Sequence, residues 1–216
     1  MLPASRSEPA RDREETLPGL ASVRDRRFVA FAALHAADLL AYNQLYLTVP
    51  LALHRADAPV AAIGVVFAWV SVVTLGLQLP VARWCARIGT GPALRSGYSM
   101  SALGFLSLAA TAPLELTPVA RLGIIGFAVT CLTLGHLVVN PTAMAWIPTY
   151  TGVESTGSYF GLLSTCGGIA VLIGSLGVGA LVDAAAVSPL VSALPWAFVA
   201  LPLVAAAALV PRLTRG

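Results

Sequence analysis

Residues 60–82 read VAAIGVVFAWVSVVTLGLQLPVA, a run without a single charged residue. A hydrocarbon core roughly 30 Å thick is crossed by about 20 residues of helix, so this run is long enough to span a bilayer. Lipid offers no partner for backbone N–H and C=O groups, and a helix satisfies its own. Five further apolar stretches flank it, at 28–53, 94–112, 119–140, 159–181 and 194–210. Together they predict an all-α membrane protein with six transmembrane helices over 28–210. A tail or linker precedes them at 1–27, and a short tail follows at 211–216.

Composition agrees. Hydrophobic residues make up 57% of the chain and charged residues 11%, against roughly 25% charged in soluble domains. All 13 basic residues are arginine. They form no basic helix or loop array, so the sequence pI near 9.0 does not indicate nucleic-acid binding. If the six spans alternate in direction, Arg24, Arg26, Arg27, Arg83, Arg87, Arg95, Arg212 and Arg215 gather on one side, and Arg55 and Arg121 on the other. The arginine-rich side, with both termini, is then expected in the cytoplasm of a plasma (inner) membrane protein. The connection 141–158, which falls on the same side, carries no arginine.

Residues 1–27 are polar and contain the mixed-charge run Arg11-Asp12-Arg13-Glu14-Glu15. Such composition predicts a disordered cytoplasmic tail, and the long charged lead does not fit a signal peptide. Cys85, Cys131 and Cys166 are scattered, without metal-site or disulfide spacing. They read as small apolar fillers.

The first span holds the strongest chemical signal. His35, Asp38, Tyr42 and Tyr46 fall within about 80° of arc on one helical face, with Asn43 beside it and Gln44 opposite. Asp38 stands eleven residues past Arg27, about 16 Å along a helix axis and close to the bilayer midplane. A carboxylate at that depth costs about 2.5–3.5 kcal/mol on insertion scales and needs a partner or a watery cavity. Two readings stand: a proton-coupling or cation-binding carboxylate with His35 as relay or partner, or a structural pair with His35 and Tyr42 that fixes packing.

Ser71, Thr74 and Gln78 share a face of the second span, and Thr133, His136 and Asn140 a face of the fourth. Interhelical hydrogen bonding would explain both; His136 has no second ligand at metal spacing. The glycine-rich fifth span, with GxxxG spacing at Gly157–Gly161, predicts close helix approach. No lysine follows it, so it is not a phosphate loop. Asn140-Pro141 occurs once and is followed by Thr142, unlike a water-channel signature. No GxSG turn and no histidine beyond His136 are present for an intramembrane serine protease. Nothing points to an enzyme, a cofactor or a metal.

Several segments in order resemble the C-terminal six-helix half of major facilitator superfamily permeases, especially proton-coupled drug exporters. Tyr42-Asn43-Gln44-Leu45-Tyr46-Leu47-Thr48-Val49-Pro50-Leu51 is similar to the family's seventh helix. Gln78-Leu79-Pro80-Val81-Ala82-Arg83-Trp84 with Arg87 and Gly89 is similar to its helix 8–9 connection, without the acidic residue of the strongest form. Gly135-His136-Leu137 through Asn140-Pro141-Thr142 resembles the tenth helix, where a glutamate often stands at the position of His136. Gly157-Ser158-Tyr159-Phe160-Gly161, then Gly174-Ser175-Leu176-Gly177-Val178-Gly179 and Asp183, resembles the eleventh, with Leu176 where proline is common.

The resemblance implies two inverted three-helix repeats whose first helices line a central cavity. It further implies half of a proton-coupled transporter, a truncated product or one needing a second six-helix half or a homodimer partner, that moves a small solute by efflux against protons. Asp38 and His35 become the proton-coupling candidates. Tyr42, Asn43, Tyr46, Gln78, His136 and Asn140 become cavity candidates, the last two nearer the cytoplasmic end. The alternative is a non-transporting remnant or interaction subunit that docks a partner on its fifth span.

Overall fold

The computed structural model describes residues 22–152, 156–187 and 191–214. Most of the tail expected at 1–27, and residues 215–216 of the tail expected at 211–216, lie outside them. Six long helices follow in order: α1 (Arg26–Arg55), α2 (Ala61–Ile88), α3 (Thr90–Thr111), α4 (Pro118–Thr151), α5 (Thr156–Val187) and α6 (Leu194–Leu213). No strand occurs among the described residues.

Local chemistry sets the ends. The Asp25 carboxylate accepts from the Arg27 and Phe28 amides, both at 3.0 Å, and so starts α1. Part of the expected tail is therefore the cap of the first helix. Thr117 caps α4, with Pro118 following where a missing N–H costs nothing. Gly89, at φ +82°, stops α2 and leads straight into α3, a conformation that suits a residue without Cβ.

The largest boundary correction is in α4, which runs through Pro141 and Pro148 to Thr151 instead of stopping at 140. The threonine after each proline turns back on its own helix. Thr142 donates to the Val138 carbonyl at 2.6 Å and Thr149 to that of Ala145 at 3.3 Å. Such side-chain bonds help a helix in an apolar setting tolerate proline.

Among the described residues, four of the six helices (α2, α4, α5 and α6) are long and apolar enough to cross a membrane by length and composition. The expectation of six spans is corrected to that extent, and the cause is visible. α1 buries His35, Asp38, Gln44 and Thr48, and α3 buries Tyr98 and Ser101. Polar side chains that face other protein groups lower a helix's hydropathy without meeting lipid.

α3 packs mainly on α4 and α6, α1 on α5 and α6, and α2 on α4. The tightest crossing is α3 on α4. A Cβ on Gly97 would come within 2.9 Å of the Gly135 carbonyl, and one on Gly104 within 2.8 Å of the Ala128 carbonyl. Backbones approach this closely only where side chains are absent.

That signature was expected on α5, but a Cβ on Gly157 or Gly161 would meet nothing within 4 Å. α5 glycines that do receive neighbours are Gly167 and Gly174, which face Leu39 and Leu40 of α1, and Gly177, which faces Phe198 of α6. The outer faces of α2 and α5 are apolar and open: Leu75 is 78% exposed and Leu176 70%. They form the surface a bilayer would cover.

The bundle has two chemically different ends. At one, Arg27 donates to the Leu213 carbonyl at 2.7 Å, and the Tyr150 hydroxyl donates to Asp25 at 2.9 Å. The start of α1 thereby sits beside the last turns of α4 and α6. Phe28, Phe31, Trp146, Tyr150 and Tyr159 stack into an aromatic cluster beneath these bonds. At the other end, Arg55 and Arg121 join the end of α1 to the start of α4.

Candidate functional site

Asp38 is fully buried, and its Oδ2 lies 2.7 Å from Nδ1 of His136 on α4. While Asp38 is ionised, that nitrogen carries the proton of the bond. The His136 side chain is 21% exposed and faces a cavity of about 240 Å³, so the pair has one dry member and one reachable member. The Tyr42 ring stacks on the imidazole with centroids 3.8 Å apart and planes 15° apart. Stacking fixes the ring plane, and the carboxylate fixes its rotation.

The same cavity is lined by Gln78 and Thr74 from α2 and by Thr133, Asn140 and Pro141 from α4. Through Gln78, Leu137 and Pro141 it adjoins a second space of about 500 Å³ between α2 and α4. That space follows α4 to Thr149, toward the Asp25 end. Trp69 ties the two walls, donating from Nε1 to the Thr130 hydroxyl at 2.9 Å.

The expected cavity residues thus divide. Tyr42, Gln78, His136 and Asn140 come together at one opening. His136 sits level with Asp38 as its partner, not nearer one end as a separate contact.

Asn43 turns the other way and donates to the Ser175 hydroxyl of α5 at 3.2 Å. Tyr46 is 55% exposed and stacks on Phe67 of α2 at 5.3 Å. His35 does not pair with Asp38. Its Nδ1 meets the Tyr98 hydroxyl of α3 at 2.8 Å, and its ring stacks on Phe31.

Polar residues on one helix face do not all reach across to neighbours. Ser71 donates to Phe67 and Thr133 to Val129, each on its own helix. The residues missed from the sequence are Tyr98 and Ser101, both fully buried on α3. They lie in the run Ser96-Gly97-Tyr98-Ser99-Met100-Ser101, where small and polar residues hide any periodic signal.

Buried polar groups normally find hydrogen-bond partners, and exceptions call for an explanation. Here His35 Nε2, Asp38 Oδ1, Gln44 Oε1 and Ser101 Oγ are buried without one. Three of these atoms belong to α1, more than to any other helix among the described residues. Of these atoms, Asp38 Oδ1 belongs to the carboxylate that pairs with His136. Among the described residues, no cluster of His, Cys, Asp and Glu could hold a metal ion.

No known family model, curated protein or solved structure matches this chain.

Proposed function

We propose that this chain is one six-helix half of a proton-coupled secondary transporter of the major facilitator type, with all six helices spanning the membrane. The observation that carries the reading is the Asp38–His136 pair, a buried carboxylate and imidazole held at 2.7 Å inside an apolar bundle beside an open polar cavity. A buried ionisable pair at membrane depth is costly and marks an ion or proton path by default. The pair's total charge changes by one with each proton it takes up or releases. Such a change can bias which packing of the bundle is lower in energy.

In this mechanism His136 receives the proton from the cavity side, because it is the member in contact with that space. Asp38 sets the imidazole's orientation and accepts its Nδ1 proton. Tyr42 closes the opposite ring face, and Gln78 and Asn140 offer hydrogen bonds to a small solute in the cavity. α1 and α4 are the first helices of the two successive triplets. Their meeting at this pair fits the inverted-repeat arrangement in which such sites lie between repeats.

The experiment is transport in proteoliposomes under an imposed pH gradient, by this chain alone and together with a candidate six-helix partner. The proposal expects solute-linked proton movement that Asp38→Asn abolishes in the competent assembly. Retained pH-dependent movement with Asp38→Asn, in correctly inserted protein, refutes it.

A second reading, a membrane interaction subunit, is favoured by the open glycine face of α5 at Gly157, Gly161, Gly168 and Gly179. It expects no solute movement from any assembly, together with association that Gly161→Leu disrupts.

A further inference from the structure

At the end of the bundle opposite Asp25 lies a separate half-open cavity of about 200 Å³, lined by the ends of α1, α3, α4, α5 and α6. Most of its lining residues are apolar, Leu108, Ile124, Ile125, Val182 and Trp196 among them, with Thr111 and Ser192 as polar members and Arg55 and Arg121 standing at it. Both arginines are exposed at the helix ends. Backbone carbonyls hold them in place: Arg121 donates to the Arg55 carbonyl and Arg55 to that of Val182, each at 3.4 Å. A guanidinium has five N–H donors, so most of the capacity of both remains free.

Three observations point to an anion. Neither arginine forms an ion pair among the described residues, although Asp57, Glu115 and Asp183 stand at the same end of the bundle. Arg121 occupies the first turn of α4, where the helix dipole opposes a positive charge, so helix stability does not account for it. The Ser192 hydroxyl, which also lines the cavity, is buried and has no hydrogen-bond partner.

The walls and size argue further. Leucine, isoleucine, valine and tryptophan around the cavity suit an alkyl chain better than a hydrated ion. A space of about 200 Å³ falls below the roughly 300–1,000 Å³ of drug-sized ligand sites. One short chain fits it; a bulky solute does not. At a helix end, guanidinium heads belong at headgroup level with their stems against apolar surface.

We infer that this cavity binds an anionic amphiphile, with a phosphate or carboxylate head between Arg55 and Arg121 and a single apolar chain reaching Trp196. The site is distinct from the Asp38–His136 cavity and does not depend on whether the chain transports anything. Its ligand comes either from an anionic lipid of the surrounding leaflet or from a free single-chain amphiphile.

The test uses the full chain in maltoside detergent and follows tryptophan emission, with Trp196→Phe identifying the signal from the pocket. Octyl phosphate is titrated against octyl glucoside and inorganic phosphate. The expected result is a saturable change with octyl phosphate, absent with octyl glucoside, and requiring at least tenfold more inorganic phosphate. Arg55→Gln with Arg121→Gln should weaken octyl phosphate binding at least tenfold, about the size of one charge-assisted hydrogen bond. Arg55→Lys with Arg121→Lys keeps the charge and should retain part of the affinity, and thermal melts verify that each variant is folded.

An equal response to octyl glucoside, no saturable response, or affinity indifferent to removal of both arginines overturns the inference. Repeating the titration in nanodiscs identifies the source. Weaker octyl phosphate binding in anionic than in zwitterionic bilayers, beyond the loss that surface repulsion of the anion causes by itself, shows that lipid already fills the site. Equal binding in both, apart from that repulsion, assigns it to the free amphiphile.

Discussion

Removing either partner of the Asp38–His136 pair should destabilise the bundle, and removing both should cost clearly less than the sum. Asp38 is fully buried and His136 is its hydrogen-bond partner at 2.7 Å. His136→Leu strands the carboxylate without a donor. Breaking a buried pair from one side costs about 3–5 kcal/mol, and the His136 position opens on a cavity that water can enter, so the low end, about 3 kcal/mol, is expected. Asp38→Asn keeps an acceptor for the imidazole but removes the charge. That exchanges a charged bond, about 1.5–3 kcal/mol, for a neutral one at about 0.5–1.5 kcal/mol. Its expected cost is therefore about 1–2 kcal/mol.

The double variant removes the interaction once instead of twice, giving a coupling of about 2 kcal/mol. An ordinary interhelical hydrogen bond in a membrane bundle averages only about 0.6 kcal/mol, so the two cases separate. The assay is SDS-driven unfolding of detergent-solubilised protein, followed by tryptophan emission and helical circular dichroism. Costs that add within about 0.5 kcal/mol would mean the two side chains do not interact, and the proposed proton site would fall with the pair.

Two further perturbations probe the frame around that site. Gly135→Ala should be strongly destabilising, because its Cβ would come within 2.7 Å of the Gly97 carbonyl and 2.9 Å of the Ser101 amide on α3. Overpacking of this kind costs about 1–3 kcal/mol, whereas Gly161→Ala meets nothing within 4 Å and should be neutral or stabilising by up to about 1 kcal/mol. The same unfolding assay ranks them, and equal effects would contradict the assigned crossing. Asp25→Ala removes the cap of α1 together with the Tyr150 bond, and should cost about 1–2 kcal/mol. Tyr150→Phe removes only the latter and should cost less; faster hydrogen exchange at the Phe28 amide in Asp25→Ala alone checks the division.

How much of this was legible in the sequence depends on the length scale of each interaction. Long uncharged runs such as 60–82 announce a helix because every residue in the window adds to one local signal, and the helix is there. α1 was legible differently, through the spacing of His35, Asp38, Tyr42 and Tyr46, which marks a face but not what the face meets. Tyr42 and Tyr46 illustrate the limit. They lie one turn apart, yet one ring covers His136 while the other stacks on Phe67 toward the surface.

Asp38 required a partner on energetic grounds alone, and the nearest candidate in sequence, His35, was the wrong one. Its actual partner stands 98 residues away, beyond anything that helical periodicity can report.

The glycines show the converse failure. Gly157–Gly161 has the spacing of a packing motif and meets open space, while the close crossing uses Gly97, Gly104 and Gly135. Only the last of these had been singled out, and for its neighbour His136. Small residues permit close approach without attracting it; what selects the crossing is the neighbour on the far side. At Gly135 that neighbour is the Ser101 side chain, whose buried hydroxyl still lacks a partner.

The tight α3–α4 contact and the unmet polar groups of α1 therefore have a common consequence. α4 is pressed against α3 by its glycine while its other side delivers His136 to Asp38. A change in the charge of the pair would act on a helix with little freedom to recede from α3. Relief is easier on the α2 side, where the cavity opens and only Val70 and Val73 of α2 are buried. If protonation moves anything in this bundle, α2 is the element with the least packing to lose. A spin-label pair on α2 and α4 should lengthen or shorten with pH, while a pair on α3 and α4 stays fixed; the opposite pattern would mean that the glycine crossing, not the α2 groove, is the moving joint.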